Sequence, residues 1–298
     1  MKILLLSAYD AQSHQYWRTG LQKAFAEHDW TILTLPARHF SWRIRGNCLS
    51  WALEQSETLS RTYDLLIATS MTDLSALRGM VPSLTHIPTL LYFHENQFAY
   101  PVSAHGRTTV EPKILNLYSA LCADKVAFNS QYNRNTFFVG AEQLLKKLPD
   151  HTPLRALQTT KDEADVLAVP IKCLDEPIKT SSNKPCQIVW NHRWEYDKGP
   201  DLLFDALLRL DKQLQPDSFT LHVVGQSFRQ HPEIFDKIYS QFSHRIGQWG
   251  FLKSNNDYQN LLHQSDIVIS TAIHDFQGIA VLEAVAAGCI PVVPNRLA

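Results

Sequence analysis

His274-Asp275-Phe276-Gln277-Gly278-Ile279-Ala280-Val281-Leu282-Glu283 is the stretch from which the fold is read. An apolar run, Ile267-Val268-Ile269-Ser270, precedes it, and a helix-like run over 279–287 closes at Gly288. A strand, a glycine-bearing loop and a helix N-terminus in that order form a site for an anion. The first helical N–H groups lack intrahelical partners and carry partial positive charge. Asp275 stands in the loop and Glu283 lies eight residues on, inside the helix. Two carboxylates so placed can accept hydrogen bonds from paired hydroxyls, which makes sugars natural ligands. The plainer alternative is an ordinary βα unit with a solvated Asp and a surface Glu, and spacing alone does not exclude it.

Working outward, the same alternation recurs on both sides. Upstream in the second half, strands are expected at 187–190, 220–224 and 246–249, with helices at 199–210, 234–242 and 256–264. Downstream, a strand is expected at 290–293. In the first half, strands are expected at 2–7, 31–35, 65–69, 89–93, 125–128 and 166–169. Helices are expected at 17–27, 47–60 and 113–122, another begins at 131–138, and Asp73 reads as an N-cap. Strands that alternate with helices and form no clean hairpin imply a parallel, doubly wound sheet. Polar residues between prolines at 175–185 mark a linker. The expected organisation is an α/β chain with a domain at 1–175, a linker at 176–186 and a domain at 187–298. The two domains are expected to face a cleft. Ligands of such sheets bind beyond the carboxyl ends of the strands. Six loops follow strands: 7–14, 94–101, 129–130, 191–198, 225–227 and 274–278.

Arg193 and Lys198 bracket the turn at 191–199. A guanidinium fork and a compact ammonium suit phosphate oxygens, and two fixed cations can stabilise a leaving diphosphate. Salt bridges to Glu195 and Asp197 are the alternative. No Asp-x-Asp triplet is present to hold a metal, and none is expected. Gly225 follows a strand, where backbone can approach a phosphate or ribose. Ser13 and His14 lie in the first loop, where Ser13 could instead cap the following helix. In Phe93-His94-Glu95-Asn96-Gln97, His94 can sit under a sugar ring or accept a proton, and Asn96 and Gln97 suit hydroxyl recognition. A His and Glu that merely hold the loop is the alternative. Arg38-His39-Phe40-Ser41-Trp42-Arg43-Ile44-Arg45 interleaves cations with aromatics, the mixture that pairs phosphates and stacks bases of exposed RNA loops. An amphipathic loop packed on its domain fits equally. Lys146-Lys147 near His151 is a weaker basic candidate.

The chain has 298 residues, 45% hydrophobic and 19% charged, with a net charge of −1. That suffices for two cores and gives no global positive field. Cys48, Cys122, Cys173, Cys186 and Cys289 are scattered, without CxxC spacing, and read as reduced thiols of a cytoplasmic protein. No apolar run reaches membrane-spanning length.

Taken together, these loops resemble glycosyltransferase family 4, retaining enzymes of the GT-B fold. The match is Arg193 with Lys198, Gly225, and the pair Asp275 and Glu283. Asp275 replaces the first Glu of the family's Glu-x7-Glu, keeping the charge with a shorter reach. The resemblance implies that Arg193 and Lys198 hold the donor diphosphate and that Glu283 takes the ribose hydroxyls. It also implies that Asp275 and its loop, Phe276, Gln277, Gly278 and Ile279, face the donor sugar. A narrower resemblance covers nearly the whole chain. Phe93 to Gln97, Phe128-Asn129-Ser130, His192-Arg193-Trp194-Glu195 and His274-Asp275-Phe276 look like the tRNA-queuosine mannosyltransferase family, which uses GDP-mannose. That family often shows Gly-Gly-Ser-His in its first loop, where this chain has Ala11-Gln12-Ser13-His14. GT-B enzymes usually continue beyond the last strand seen here, so a chain shorter than the active enzyme is expected.

The resulting expectation is a retaining hexosyltransferase. It would need no metal and would move mannose from GDP-mannose to a hydroxyl of queuosine in tRNA, with Arg38, Trp42, Arg43 and Arg45 on the acceptor. The same chemistry on a glycan or lipid, and a non-catalytic module that binds nucleotide sugar or tRNA, remain open. A dinucleotide-dependent oxidoreductase lacks its Gly-x-Gly-x-x-Gly after the first strand.

Overall fold

The computed structural model describes residues 1–100, 109–172, 185–227 and 231–297. The chain divides into two units, Met1–Val169 and Pro170–Ala298. Most of the linker expected at 176–186 lies outside the described residues, as does Cys173, and Cys186 already opens a strand.

The first unit runs β1 (Lys2–Asp10), α1 (Gln12–Ala24), β2 (Asp29–Pro36), α2 (Phe40–Glu54), α3 (Ser56–Leu59), β3 (Leu65–Thr69) and α4 (Leu74–Met80). It continues with β4 (Thr89–Phe93), α5 (Glu111–Cys122), β5 (Lys125–Phe128), α6 (Gln131–Leu145), α7 (Leu154–Glu163) and β6 (Asp165–Val166). The strands pair in parallel in the order β2-β1-β3-β4-β5-β6. β2 lies on one side of β1 and β3 on the other, so the winding reverses between β1 and β3. Ile3 to Leu6 are all buried, as expected of a central parallel strand covered on both faces. Leu4, Leu6 and Ala8 share a core with Trp51, Leu74 and Leu77. Phe93 joins that core, while its neighbour Tyr92 stacks on Trp17 of α1 at 4.4 Å.

The second unit runs β7 (Cys186–Trp190), α8 (Pro200–Gln213), β8 (Phe219–Val224), α9 (Ile234–Phe242) and β9 (Ile246–Gly250). Then come α10 (Asn255–Gln264), β10 (Ile267–Ile269), α11 (Ile279–Ala286) and β11 (Ile290–Val292). The order is β11-β10-β7-β8-β9, again parallel, with the reversal between β7 and β10. Successive side chains turn to opposite faces. Trp190 and Val223 pack with Leu203 and Phe235, whereas Val189 and Val224 pack with Leu261 and Ala284.

Three local expectations are corrected. β1 keeps pairing with β2 as far as Asp10, and α1 starts at Gln12, so the loop expected at 7–14 shrinks to Ala11. Ser13 therefore sits exposed in the first helical turn and caps nothing. The helix expected at 47–60 starts at Phe40 and breaks at Gln55, so most of the basic run is helical. α7 had no clear signal, and β6 is shorter and earlier than 166–169. Asp73 does cap α4, accepting from the Ala76 N–H at 3.0 Å.

Gly225 directly follows β8; its φ of +147° suits glycine, and an added Cβ would lie 1.9 Å from the His192 carbonyl. Gly225→Ala is expected to destabilise the second unit by about 1–3 kcal/mol through forced backbone movement. Thermal unfolding that matches the parent would contradict this.

Candidate active site

Each reversal point places two loops side by side at the carboxyl edge of its sheet. In the second unit these loops follow β7 and β10, and they carry the two motifs singled out from sequence. Trp194 anchors the first loop, stacked on Phe235 at 4.4 Å and edge-on to Trp249 at 4.9 Å. Its neighbours Arg193 and Glu195 pair with each other at 2.8 Å, with Arg193 well exposed. A tight turn then leads to Lys198 and to Gly199, in the left-handed conformation at φ +62°. A Cβ on Gly199 would lie 2.2 Å from the Thr271 carbonyl, so the two loops touch backbone to backbone.

They are also stitched by hydrogen bonds. The Asp197 carbonyl accepts from the N–H groups of Ile273 and His274 at 2.8 and 3.1 Å. The Thr271 hydroxyl donates to the Lys198 carbonyl at 2.9 Å and accepts from the Trp190 indole at 3.0 Å. Lys198, only 7% exposed, donates to the His274 carbonyl at 3.0 Å. Its ammonium also lies 3.2 Å from Asp275 and 3.3 Å from Asp197. The salt bridges weighed as the plain alternative do form, but that of Lys198 is buried and crosses to the second loop. The other oxygen of Asp275 accepts from the Gly278 N–H at 3.0 Å, so one carboxylate joins Lys198 to the start of α11.

Gly278, at φ +68°, is the N-cap of α11 without a capping side chain. Phe276 and Gln277 are buried in the loop, Phe276 edge-on to His274 at 4.4 Å. Ile279 opens the helix. One turn further on, Glu283 accepts from the Tyr258 hydroxyl at 3.1 Å. Asn191 donates to that same phenolic oxygen at 3.0 Å and to the Ala280 carbonyl at 2.7 Å. Neither Tyr258 nor Asn191 was singled out from sequence. Tyr258 reaches the site only because α10 packs beside α11, which no local pattern announces.

Burial raises the pKa of Asp275, but Lys198, His192 and the Gly278 N–H together outweigh it and the net shift is downward. Burial raises Glu283, opposed by its bond from Tyr258. Burial, then Lys198, lowers His192 and His274 to about 4 each. His192 lies 2.9 Å from the Ser270 hydroxyl. The site at neutral pH thus sets an anchored ammonium and its carboxylate partners beside neutral imidazoles. Among the described residues, no three His, Cys, Asp or Glu side chains gather as a metal site.

In the first unit, the first turn of α1 and the loops after β3 and β4 bring His14, Ser70, His94 and Glu95 together. Glu95 lies 3.1 Å from His14 Nε2 and accepts from Ser70 at 3.1 Å. His14 Nδ1 bonds the Tyr9 carbonyl, and its ring lies 4.1 Å from that of His94. Burial opposes the charge on His14, but Glu95, the Tyr9 carbonyl and Asp10 together outweigh it and raise the pKa; burial, then His14, puts His94 well below the ordinary value. His94 Nε2 is buried without a hydrogen bond.

Asn96 departs from expectation. Its amide donates to the Asn133 carbonyl and side chain and to Thr136, and its oxygen accepts from the N–H groups of Phe98 and Ala99. Fully buried, it pins the loop and offers nothing to a sugar hydroxyl. Gln97 donates weakly to Met71 sulfur at 3.6 Å, and its backbone N–H bonds Asn116. In the basic run, Arg38 is exposed, Arg45 pairs with Glu111, and Arg43 is half-buried. Trp42 is 57% exposed and lies over Gly46, where a Cβ would meet the ring at 2.6 Å. Lys146 pairs with Glu142 on an exposed helix face.

Two parallel doubly wound units, with paired cations and carboxylates at the reversal point of the second, define a GT-B glycosyltransferase. The similarities agree. Residues 2–171 match the family described as tRNA-queuosine alpha-mannosyltransferase N-terminal, and residues 175–297 match glycosyl transferases group 1. A tRNA-queuosine alpha-mannosyltransferase of Drosophila melanogaster is 33% identical over 305 residues, covering 99% of this chain and 80% of that one. The chain belongs to the tRNA-queuosine alpha-mannosyltransferase family. Among solved structures, sucrose-phosphate synthase of Thermosynechococcus elongatus superposes with a TM-score of 0.66 at 13% identity, over 98% of this chain and 81% of that one. The lipopolysaccharide outer core galactosyltransferase WaaB superposes with a TM-score of 0.60 at 12% identity, over 100% and 82%. At such identities the likeness speaks for the fold alone. No helix among the described residues is long and apolar enough to cross a membrane.

His192 and His274 have folded pKa values near 4, below the ordinary 6.5. Between those values the unfolded chain binds protons that the folded chain refuses, so their stabilisation is full above about pH 6.5 and is lost as pH falls toward 4. The fall in melting temperature of the second unit from pH 7 to 4.5 is expected to shrink in a His192→Asn, His274→Asn double variant. An equal fall in parent and variant would contradict it.

Proposed function

We propose that the protein transfers mannose from GDP-mannose to a hydroxyl of queuosine in cytoplasmic tRNA, with retention and without a metal. The observation that supports this most is the Lys198 ammonium, anchored at the reversal point of the second sheet and joined through Asp275 to the N-terminus of α11. A diphosphate bound there meets the ammonium, the Arg193 guanidinium and unpaired helical N–H groups together. Glu283, farther along the same helix, takes the ribose hydroxyls.

In this reading the acceptor hydroxyl approaches the anomeric carbon on the face from which the diphosphate leaves. The bond from that carbon to the phosphate oxygen breaks, the bond to the acceptor oxygen forms, and the acceptor proton passes to the departing phosphate. Arg193 and Lys198 stabilise the negative charge that develops on the diphosphate. His94, neutral and held beneath Trp17 and His14, positions the sugar. Asp275 orients Lys198 as well as facing the sugar. Acceptor binding falls to the first unit, where the exposed Trp42 face and nearby Arg38, Arg43 and Arg45 suit an RNA loop.

The test is incubation with labelled GDP-mannose and tRNA with or without queuosine, with a glycan and a lipid acceptor as further arms. Label is expected only in queuosine-containing tRNA. Arg193→Ala and Lys198→Ala are each expected to lower kcat about 100-fold or more. Near-parental rates in both variants, or equal labelling of tRNA lacking queuosine, would overturn the reading.

A further inference from the structure

We infer that Tyr258, backed by Asn191, is a positioning residue that presents Glu283 to the ribose of the donor nucleotide. The inference rests on the proposed role of Glu283 and adds two residues to it. Tyr258 donates its single hydroxyl proton to Glu283 Oε2 at 3.1 Å. Its oxygen in turn accepts from the Asn191 amide at 3.0 Å. That amide is itself fixed, since it also donates to the Ala280 carbonyl at 2.7 Å. With the phenolic lone pair engaged by Asn191, the proton has one strong acceptor in reach, the carboxylate.

The consequence is geometric. Tyr258 engages one oxygen of Glu283, and among the described residues no side chain engages the other. A glutamate on an eight-residue helix could otherwise sample several rotamers. Held by the phenol, its second oxygen keeps one direction in which to meet a hydroxyl pair. Asn191 directly follows β7 and begins the loop that carries Arg193 and Lys198. The backing of the proposed ribose group therefore starts on the same loop that carries the groups proposed for the diphosphate.

A purely structural tyrosine would matter equally for any nucleotide, whereas a positioning one matters only when the 2′-hydroxyl is present. The test is calorimetric binding of GDP and 2′-deoxy-GDP, with UDP and 2′-deoxy-UDP in parallel so that the tighter base gives the reading. Parent, Tyr258→Phe, Asn191→Ala and Glu283→Gln proteins are compared. Tyr258→Phe keeps the ring, and Asn191→Ala leaves the phenol in place should the first variant fold poorly. Tyr258→Phe is expected to weaken the ribonucleotide about 10-fold and the deoxynucleotide by no more than about twofold. Donor KM should rise similarly with kcat within about twofold, the signature of lost ground-state binding. Asn191→Ala should show the same pattern more weakly. If Glu283→Gln abolishes the preference for ribose but Tyr258→Phe weakens both nucleotides equally or neither, the positioning role is overturned while that of Glu283 stands. If Glu283→Gln leaves the preference intact, both roles fall.

Discussion

A single ammonium group, that of Lys198, ties together two loops that are 76 residues apart in sequence when counted to the carbonyl it bonds. It contacts the His274 carbonyl and the carboxylates of Asp197 and Asp275 while almost wholly buried. A buried charge is tolerated only where it is paired and hydrogen-bonded, and removing one partner of such a group is costly. The arrangement therefore fixes both loops, and with them the start of α11. The close approach of Gly199 to Thr271 permits the contact, because any side chain at that position would push the loops apart.

Chain topology makes this meeting possible. With strands ordered β11-β10-β7-β8-β9, β7 and β10 are neighbours although two βα units separate them in sequence. Their following loops therefore lie side by side at the carboxyl edge of the sheet, where they meet backbone to backbone. The first unit repeats the reversal between β1 and β3, and a polar network holds the neighbouring ends of β4 and β5. Asn96, Asn116, Asn129 and Asn133 satisfy one another and the backbone at 70 and 93–99. His94 and Glu95 are held in place by that network, and a fully satisfied buried network specifies one conformation.

The strands were legible because buried parallel strands are short apolar runs, as in Ile3 to Leu6 or Ile188 to Trp190. The loop motifs were legible because strand, loop and helix succeed one another within ten residues. The start of α1 was not, since Ala11 offers no capping side chain. Nor was the start of α2, which follows His39 in a left-handed conformation at φ 53° that a sequence gives no reason to expect. Asn96 shows a further limit: an amide in a polar run looks the same whether it meets a ligand or the chain itself. Arg193, Lys198, Asp275 and Glu283 could be picked out by type and spacing. Tyr258 could not, because its place depends on the packing of one helix against another. Lys198 and Asp275 also turned out to be partners of each other, which two separate motifs do not reveal.

In the proposed function, the carboxyl ends of β7 and β10 form the nucleotide site. Hydrogen–deuterium exchange on the protein with and without saturating GDP tests it most directly. Slower exchange is expected at 191–199 and 270–283, with 214–218 and 264–266 at the opposite edge of the sheet unchanged. Bound GDP that left the first two segments unprotected, or protected the opposite edge instead, would contradict it.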